Sequence, residues 1–321
     1  MKTTVIIPNY NGMSYLEDCM KALKADTSAK FRICIVDNGS TDGSLEWIRQ
    51  NCPEAELIAM GENTGFCKAV NVGIEAAQTP YVLLLNNDTQ VVTGFVKALE
   101  EALEEWDRAF SVSAKMLDMK QPHLLDGAGD LYCALGWAFA RGKGKEAARY
   151  FTREGEIFSA CAGAAIYRRD LIEGLGYFDE NHFAYLEDCD LGYRAQLHGY
   201  RNYYSPQAVV CHAGSGVTGS RHNEFKVRLS SRNSVYLIYK NMPLWQIVLN
   251  GPLLLSGFLV KYFFFLKKGL GKIYWRGCLS GIRLCRREGK SKKQDFSKLS
   301  KRELFRIQIM LWGNIWRRFI S

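Results

Sequence analysis

The sequence predicts an α/β fold with a largely parallel sheet, because apolar strand-like runs alternate with segments of helical periodicity. The strand signal is clearest in three runs that end in polar turn residues: TTVIIPNYNG (3–12), FRICIVDNGSTDGS (31–44) and PYVLLLNNDT (80–89). Apolar residues then recur at helical spacing in four segments: 14–25, 44–50, 63–78 and 93–106. Strands and helices that alternate in this way are typical of βαβ units, whose strands lie parallel in one sheet.

Length and composition favour a large folded core with a distinct C-terminal part. The chain has 321 residues, 47% of them apolar, which is enough for one large domain plus an appendage. Its character changes near Met242, where a strongly apolar stretch begins. We therefore divide the chain into a main domain, residues 1–240, and a basic helical C-terminal region, residues 241–321.

The pattern is weaker in the middle of the chain. We predict irregular structure over residues 107–160 and a solvated loop at RGKGKEAARY (141–150). A strand-like run, NYYSPQAVVCHAGSG (202–216), comes later and is followed by a helix from Arg228 to about Tyr239.

Charge is unevenly distributed along the chain. Residues 261–321 carry 17 Lys or Arg against 3 Asp or Glu, whereas residues 1–260 carry 25 against 30. A basic tail on a mildly acidic body suits an anionic partner, either nucleic acid or a membrane surface. The Trp and Phe residues of the tail favour the membrane, since they resemble interfacial anchors more than base-stacking platforms.

The apolar stretch 243–268 is predicted to lie on or dip into a membrane. Its last uninterrupted piece, Leu253–Val260, is too short to cross a bilayer core of about 30 Å, which takes roughly 20 residues. If it were counted through Lys261, the stretch would just span. Surface or re-entrant insertion is the interpretation that the interruptions favour.

The last segment has the pattern of an amphipathic helix. Ser300 and Glu303 have capping-box spacing at its start. A stripe of apolar residues then follows at helical intervals: Leu304, Ile307, Leu311, Ile315 and Phe319. Two interpretations remain, an interfacial membrane helix, which we favour, and a helix packed on the main domain.

The N-terminus and the cysteines indicate the cytoplasm. Met1 leads directly into a strand-like run, with no charged segment, long apolar segment and cleavage site of the secretory kind. Ten cysteines are scattered without a CxxC pair, which predicts small core residues in a reducing compartment rather than a disulfide framework.

Polar residues follow the predicted strands and should converge on one site. Asn9 and Asn11, then Asp37, then Asp88 stand at successive strand ends, and ligands of open α/β sheets bind at that edge. Asp37 either caps a turn or accepts the imide N–H of uracil or thymine. Asp88 either completes a turn or offers an oxygen to Mg²⁺ or Mn²⁺.

A second group of candidates lies in AYLEDCDLGYR (184–194), where three acids follow an apolar run. Asp190 has i,i+4 spacing to Arg194 and is explained by that pair and a helix start. Asp188 is less well explained structurally, and a carboxylate in a partly apolar pocket can act as a general base. His212, after a strand, is either structural or a metal ligand with Asp88.

Seven blocks in order resemble the family 2 glycosyltransferases of the GT-A fold, and within them the bacterial rhamnosyltransferase-like enzymes. They cover roughly residues 3–235: VIIPNYNG, IVDNGSTDGS, NTGFCKAVNVGI, LLLNNDT, CAGAAIYRRDL, GYFDENHFAYLEDCDLGYRAQLHGY and VVCHAGSG. The resemblance implies a Rossmann-like mixed sheet in residues 1–240, with the C-terminal region as a membrane-associating extension.

The resemblance also implies roles for individual residues. Asp188 matches the catalytic base, and Asp88 with His212 matches the ligands of Mg²⁺ or Mn²⁺. The donor nucleotide would be held by these residues: Pro8, Tyr10, Asn11, Asp37, Asn63, Gly65, Lys68 and Asn87. Support of the base or contact with the acceptor falls to Glu187, Asp190, Gly163 and Ala164. The family often has Asp-x-Asp at its metal motif, whereas this chain has Asn86-Asn87-Asp88 and so offers one carboxylate.

The implied activity is inverting, non-processive, metal-dependent transfer of a sugar to a lipid-linked or growing glycan at the inner face of the cell membrane. The first candidate donor is dTDP-rhamnose, and UDP-linked sugars come next. A processive synthase would add several membrane spans and a Gln-x-x-Arg-Trp block, and a nucleotidyltransferase would have a Gly-rich loop after its first strand; neither pattern is present. A non-catalytic protein that binds nucleotide sugars is the remaining alternative.

Overall fold

The structure, a computed structural model, describes residues 1–214 and 223–320. The described strands are β1 (Thr3–Asn9), β2 (Phe31–Asp37), β3 (Glu56–Ala59), β4 (Tyr81–Leu85), β5 (Thr89–Val91), β6 (Ala109–Asp118), β7 (Leu125–Gly127), β8 (Asp130–Cys133), β9 (Trp137–Ala140), β10 (Gly155–Ile157), β11 (Ala164–Arg168) and β12 (Arg201–His212). The described α-helices are α1 (Met13–Ala25), α2 (Ser44–Asn51), α3 (Phe66–Ala76), α4 (Phe95–Glu105), α5 (Arg169–Leu175), α6 (Glu187–Leu197), α7 (Glu224–Asn241), α8 (Leu244–Leu249), α9 (Gly251–Lys267), α10 (Gly271–Glu288) and α11 (Lys301–Ile320).

The main sheet is mixed, with a parallel half built from the N-terminal part of the chain. Its strand order is β10-β12-β6-β11-β4-β1-β2-β3, and β5 and β7 pair at its side with β12 and β6. β4, β1, β2 and β3 are parallel, as the alternation of strands and helices predicts. β11 runs antiparallel to both of its neighbours and joins this half to the β6–β12 pair.

Helices cover both faces of the sheet because successive strand residues point to opposite sides. Val5 and Ile7 pack on one face with the apolar residues of α1, α2 and α4. Ile6 packs on the other face with α3, α5 and α6. The parallel strands are therefore apolar on both sides, which explains their continuous hydrophobic runs.

One expectation about the middle of the chain was wrong. Residues 109–118 form a long central strand, β6, rather than irregular structure. The segment 141–150 lies outside the strands and helices and is mostly exposed, as expected of a solvated loop, but two of its side chains have partners. Arg141 stacks on Phe151 and Tyr204, and Lys143 pairs with Asp126.

In the predicted strand over 202–216 the pairing ends at His212, and residues 215 and 216 lie outside the described part of the chain.

The last helix packs on the main domain along most of its apolar stripe, as the second of the two interpretations expects, and Phe319 at its end is exposed. Leu304, Ile307 and Leu311 are buried in a third core cluster that also contains Leu131 and Tyr193 of the main domain. The main domain thus covers apolar side chains of α11 whose packing partner the sequence alone does not identify. Glu303, expected to close a capping box, instead pairs with Arg201 and Arg306.

The C-terminal helices nevertheless leave many large apolar side chains exposed. They lie on α8 to α11 and include Leu244, Val248, Leu255, Phe263, Trp275, Phe305, Trp316 and Phe319. Within residues 1–214 and 223–320, no helix combines the length and the apolarity that a membrane span needs.

Candidate active site

A cavity of about 530 Å³ lies where β1 and β4 end and α6 begins. It collects most of the residues that the sequence singled out. The predicted residues in its walls are Pro8, Tyr10, Asn63, Gly65, Asn87, Asp88, Gly163, Glu187, Asp188 and His212. The carboxyl-end position follows from the parallel strands, whose ends share one edge of the sheet.

Five predicted residues do not line this cavity. Asp37 is buried at the end of β2, where its carboxylate accepts the backbone N–H of Ser40 at 3.1 Å. Asn11 accepts the backbone N–H of Thr41, and Lys68 is exposed on α3. Ala164 and Asp190 are fully buried, so any close approach along this wall is offered by Gly163.

One side of the cavity is held by an asparagine that the sequence analysis did not select. Asn38 donates to Asn63 Oδ1 and to the carbonyl of Gly65, each at 3.2 Å, and accepts the backbone N–H of Thr64 at 3.0 Å. Gly65 has φ of +90°, and a Cβ there would stand 2.5 Å from the ring of Phe183. The donor-side loop and the segment before α6 therefore touch at a position that requires glycine.

Asp88 and His212 stand together, although they come from different parts of the chain. His212 ends β12 and is paired with Thr89 of β5, next to Asp88. Asp88 Oδ1 lies 3.3 Å from Nε2 of His212, and Asp126 Oδ2 lies 2.8 Å from Nδ1. Asp126 was not predicted, and it fixes the orientation of the His212 ring.

The charges around His212 explain its protonation. Burial alone would lower the pKa of His212, but the hydrogen bonds to Asp126 and Asp88 outweigh it and raise the pKa to about 9. Burial would likewise raise the pKa of Asp126, but His212 and Lys143 lower it to about 2. In the protein without metal, His212 is thus a cation between two carboxylates.

These residues fit a divalent cation. A carboxylate oxygen and an imidazole nitrogen 3.3 Å apart are spaced as neighbouring ligands of one ion, since metal–ligand bonds of about 2.1 Å at right angles separate them by about 3 Å. The Asp88 carboxylate suits Mg²⁺ or Mn²⁺, and the imidazole favours Mn²⁺ of the two. The carboxylate behind His212, from Asp126, is the usual partner of a ligating histidine.

Asp188 begins α6 opposite a second acid that the sequence analysis missed. Its carboxylate accepts the backbone N–H of Cys189 at 2.7 Å. A carboxylate oxygen of Asp188, a carboxylate oxygen of Asp130 and the Sγ of Cys161 all lie within 4.8 Å of one another. This group meets the distance condition for a metal, but a thiol is a poor ligand for Mg²⁺ or Mn²⁺, so the Asp88–His212 pair is the better candidate.

The two facing acids differ in how strongly their pKa is raised. Burial and the charge of Asp188 raise the pKa of Asp130 well above its usual range. Burial also raises the pKa of Asp188, but the backbone N–H groups of Cys189 and Ala162 oppose the change. Asp130 therefore takes the first proton of the pair and leaves Asp188 as the available base.

Glu187 lies beside Asp188 with an unused oxygen. Its Oε2 atom is buried and has no hydrogen-bond partner among the described residues. Burial and the neighbouring charge of Asp188 raise the pKa of Glu187 well above its usual range. A neutral Glu187 carboxyl can donate a hydrogen bond to a polar group in the cavity.

The segment that leads into Asp188 is held in an unusual backbone conformation. Phe183, Tyr185 and Leu186 have positive φ values of 62°, 69° and 68°. Asn233 of α7 donates from one amide nitrogen to the carbonyls of His182, Ala184 and Tyr185, at 2.7 to 2.9 Å. Such backbone persists only where its surroundings fix it, and Asn233 supplies that constraint.

Asp190 anchors α6 from inside the core. It accepts hydrogen bonds from Arg194, Lys240 and Asn241, and the pair with Arg194 is the i,i+4 pair that the spacing suggests. Lys240 also bonds Asp179 at 2.6 Å. The buried network ties α6 to α7 and so fixes the start of α6, where Asp188 lies.

Four residues of this site escaped the sequence analysis: Asn38, Asp126, Asp130 and Asn233. The first follows Asp37 in a turn that already seemed explained. The next two flank Gly-Ala-Gly in DGAGD (126–130), and this cluster of acids within the irregular middle was the available signal. Nothing in its own segment distinguishes Asn233.

The fold and the site define a class of protein before any relative is considered. A mixed α/β sheet with C-terminal helices and an acid-lined cavity at the strand ends is typical of GT-A glycosyltransferases. This confirms the fold class that the sequence predicts. Solved structures with this fold include a mannosyltransferase from Pyrobaculum calidifontis in complex with GDP-Man and Mn²⁺, with a TM-score of 0.57 and 15% identity over 90% of this chain and 76% of that one. S. aureus TarS 1–349 in complex with UDP-GlcNAc has a TM-score of 0.53 and 18% identity over 79% of this chain and 70% of that one.

The chain belongs to glycosyl transferase family 2, whose model matches residues 4–176. It is similar to the N-acetylglucosaminyl-diphospho-decaprenol L-rhamnosyltransferase of Mycobacterium tuberculosis. The two are 28% identical over 264 residues, which cover 72% of this chain and 84% of the relative. The predicted class of enzyme, a glycosyltransferase, is thereby confirmed.

Proposed function

We propose that the protein is an inverting, non-processive glycosyltransferase that moves a sugar from a nucleoside diphosphate to a hydroxyl of a lipid-linked or growing glycan. The observation that carries the proposal is that Asp188 lines the same cavity as the Asp88–His212 pair. Direct displacement needs a base for the acceptor and a cationic centre for the leaving group, and this cavity offers positions for both.

In this mechanism Asp188 takes the proton of the acceptor hydroxyl as its oxygen attacks the anomeric carbon. Attack opposite the leaving diphosphate inverts the anomeric centre, so no protein nucleophile is needed. Held by Asp88 and His212, Mg²⁺ or Mn²⁺ would act as a Lewis acid toward the charge of the leaving diphosphate. Glu187 donates a hydrogen bond to the acceptor, and Asp190 supports the helix that carries the base.

Rhamnose linked to dTDP is our first candidate for the donor, and other dTDP- or UDP-linked sugars are the alternatives. The rhamnosyltransferase similarity over 72% of the chain supports this order. Pro8, Tyr10, Asn63, Gly65 and Asn87 would contact the nucleotide from the cavity walls. Asp37 would recognise the pyrimidine base of the donor. Asn11 and Lys68, which do not line the cavity, would assist it.

For the acceptor we propose a saccharide linked through diphosphate to a lipid, reached at the cytoplasmic face of the membrane. The relative's acceptor, by its name, is N-acetylglucosaminyl-diphospho-decaprenol. The exposed apolar side chains of α8 to α11 and the 17 Lys or Arg of residues 261–321 suit an anionic membrane surface.

A donor screen with a base variant tests the proposal. Purified protein is incubated with dTDP-rhamnose and UDP-sugars, with and without Mg²⁺ or Mn²⁺, and transfer to a lipid-diphosphate saccharide is measured. We expect Asp188→Asn to lower the transfer rate about 10²- to 10⁴-fold, with donor affinity retained. The exposed Asp170→Asn serves as the control. Transfer at the wild-type rate in Asp188→Asn would refute the assignment of Asp188 as the base. If the protein binds no nucleoside diphosphate in the presence of Mn²⁺, the proposed glycosyltransferase activity is refuted.

A further inference from the structure

A second cavity, of about 340 Å³, lies between α7 and α10 and is lined by three arginines. Arg232 comes from α7, whereas Arg283, Arg287 and Ser280 come from α10. We propose that this arginine cleft binds the diphosphate of the lipid-linked acceptor, while the acceptor saccharide enters the neighbouring active site. The inference rests on the proposed function and names the group by which its acceptor is recognised.

The lining of the arginine cleft has more cations than acids. Arg283 has no hydrogen-bond or ion-pair partner in residues 1–214 and 223–320. Arg287 pairs with Glu288 at 2.9 Å, and Glu180 is the acid of the lining. Glu180 accepts a hydrogen bond from the amide of Asn71 at 3.3 Å. Cations that outnumber the acids around one cavity repel each other and attract an anion.

Arg232 is preorganised by the protein rather than free to turn away. Its Nη2 donates to the carbonyls of Asn181 and His182 at 2.7 and 2.8 Å, and its Nε donates to Asn233 at 2.9 Å. Its Nη1 has no hydrogen-bond partner among the described residues. Burial lowers the pKa of Arg232, and the charges of Arg228 and Arg287 add to that effect. A bound phosphate would relieve this repulsion through the donors that guanidinium groups offer.

The arginine cleft and the active site share a wall. Phe183 lines both cavities, and the carbonyls that hold Arg232 belong to the two residues before it. A hexopyranose joined to diphosphate through its anomeric carbon carries its C4 hydroxyl across the ring from that carbon. An anchored diphosphate on one side of Phe183 can therefore present a hydroxyl to Asp188 on the other.

The outer face of α10 also fits a lipid chain. Trp275, Leu279 and Ile282 are exposed and follow one another at i, i+4 and i+7. Ser280 and Arg283 each follow a member of this apolar stripe by one residue, and Arg287 lies one turn beyond Arg283, so the cationic stripe borders the apolar one. A prenyl diphosphate has the same arrangement, with a hydrocarbon chain joined directly to an anionic group.

The test compares two double variants of α10. Arg283→Gln/Arg287→Gln removes two cations from the arginine cleft. Arg276→Gln/Arg286→Gln removes two exposed cations of the same helix that do not line it. Binding of inorganic pyrophosphate and of geranyl diphosphate is measured by calorimetry. Transfer is measured in detergent with a prenyl-diphosphate saccharide and with the same saccharide as a phosphate-free glycoside.

We expect the cleft variant to bind both probes at least about tenfold more weakly and to raise KM for the diphosphate acceptor to a similar extent. The phosphate-free acceptor should react equally with both variants and the wild type. Equal losses in the two double variants, or a wild type that does not bind the probes, would overturn the inference. So would a cleft variant that loses binding to phosphatidylglycerol vesicles but keeps its transfer kinetics, since that result assigns the cleft to membrane headgroups. Donor hydrolysis reports on the proposed function separately, because it needs no acceptor.

Discussion

The carboxylate of Asp130, at the start of β8, lies within 4.8 Å of the carboxylate of Asp188, at the start of α6. Two buried acids at this separation do not ionise independently, because the charge of one raises the pKa of the other. The base proposed for the acceptor hydroxyl is therefore half of a pair, and its partner Asp130 holds the shared proton.

Asp130→Asn should leave the acidic limb of the pH profile of kcat/KM close to its position in the wild type. Burial and the charge of Asp188 keep the pKa of Asp130 well above its usual range, so Asp130 is already neutral, like the amide that replaces it, when Asp188 loses its proton. The profile is recorded for transfer with a saturating donor, and Asp18→Asn on the exposed face of α1 is the control. A limb that moves toward lower pH would mean that Asp130 is charged when the essential base titrates.

Asp126→Asn should weaken Mn²⁺ binding about tenfold, because an amide no longer increases the basicity of the His212 nitrogen that would face the metal and holds the ring less firmly. Calorimetry with Mn²⁺ in the presence of a nucleoside diphosphate measures the change, and Glu56→Gln on the sheet edge is the control. Unaltered affinity for Mn²⁺ would place the metal elsewhere, with Asp130 and Cys161 as the next ligands to test.

Asn233→Ala should destabilise the protein by about 2–4 kcal/mol, since it removes a buried amide that bonds three carbonyls of the segment before α6, of which that of His182 keeps Arg232 as a donor. Hydrogen exchange should increase at residues 182–186, and transfer should fall more than the binding of the donor. Asn314→Ala is the matched control, because it removes a buried hydrogen bond from a side-chain amide to the carbonyl of Tyr132. Transfer lost equally in both variants would deny Asn233 a specific role in placing Asp188.

Lys240→Met should lower the free energy of unfolding by about 3–5 kcal/mol at neutral pH, because Asp179 and Asp190 stay buried without their shared cation. Burial would raise the pKa of Asp179, but Lys240 lowers it to about 2. A depressed folded pKa stabilises the protein above the unfolded value of about 3.9, and that stabilisation is lost as the pH falls toward 2. The difference between wild type and variant should therefore shrink below about pH 4.

Urea unfolding at pH 7 and at pH 3 measures this difference. Lys292→Met, an exposed lysine near the same network, should change stability little at either pH. A loss in Lys240→Met that is equally large at both pH values would argue against the ion pairs as its source.

Phe263→Ser/Phe264→Ser should reduce binding to anionic vesicles without changing donor hydrolysis, because both rings are exposed on α9. Co-sedimentation with vesicles is the measurement. Val92→Ser removes an exposed apolar side chain far from the C-terminal helices and is the control. Equal sedimentation of all three proteins would show that α9 is not the membrane contact.

The sequence by itself determined the parallel half of the sheet and the polar residues at its edge. Runs such as residues 3–12 carry strand and turn signals that depend only on neighbouring residues. The carboxyl ends of parallel strands then lie at the same edge of the sheet, because the strands run in the same direction. Asp88 was therefore selected as a residue at a strand end, whereas Asp188 was selected from the acids after an apolar run and from the family resemblance. The stripe of α11 was also found, but the surface that covers it was not, because periodicity records which face is apolar and not what lies against it.

Tertiary structure alone decided which distant residues meet. Asp126 reaches His212 across 86 residues of sequence, and Asn233 reaches the carbonyl of Tyr185 across 48. Local propensity carries no record of such contacts, since they depend on where β7 pairs in the sheet and where α7 packs. The sequence thus determined the groups that can do chemistry, whereas packing decided their partners, their protonation and their orientation.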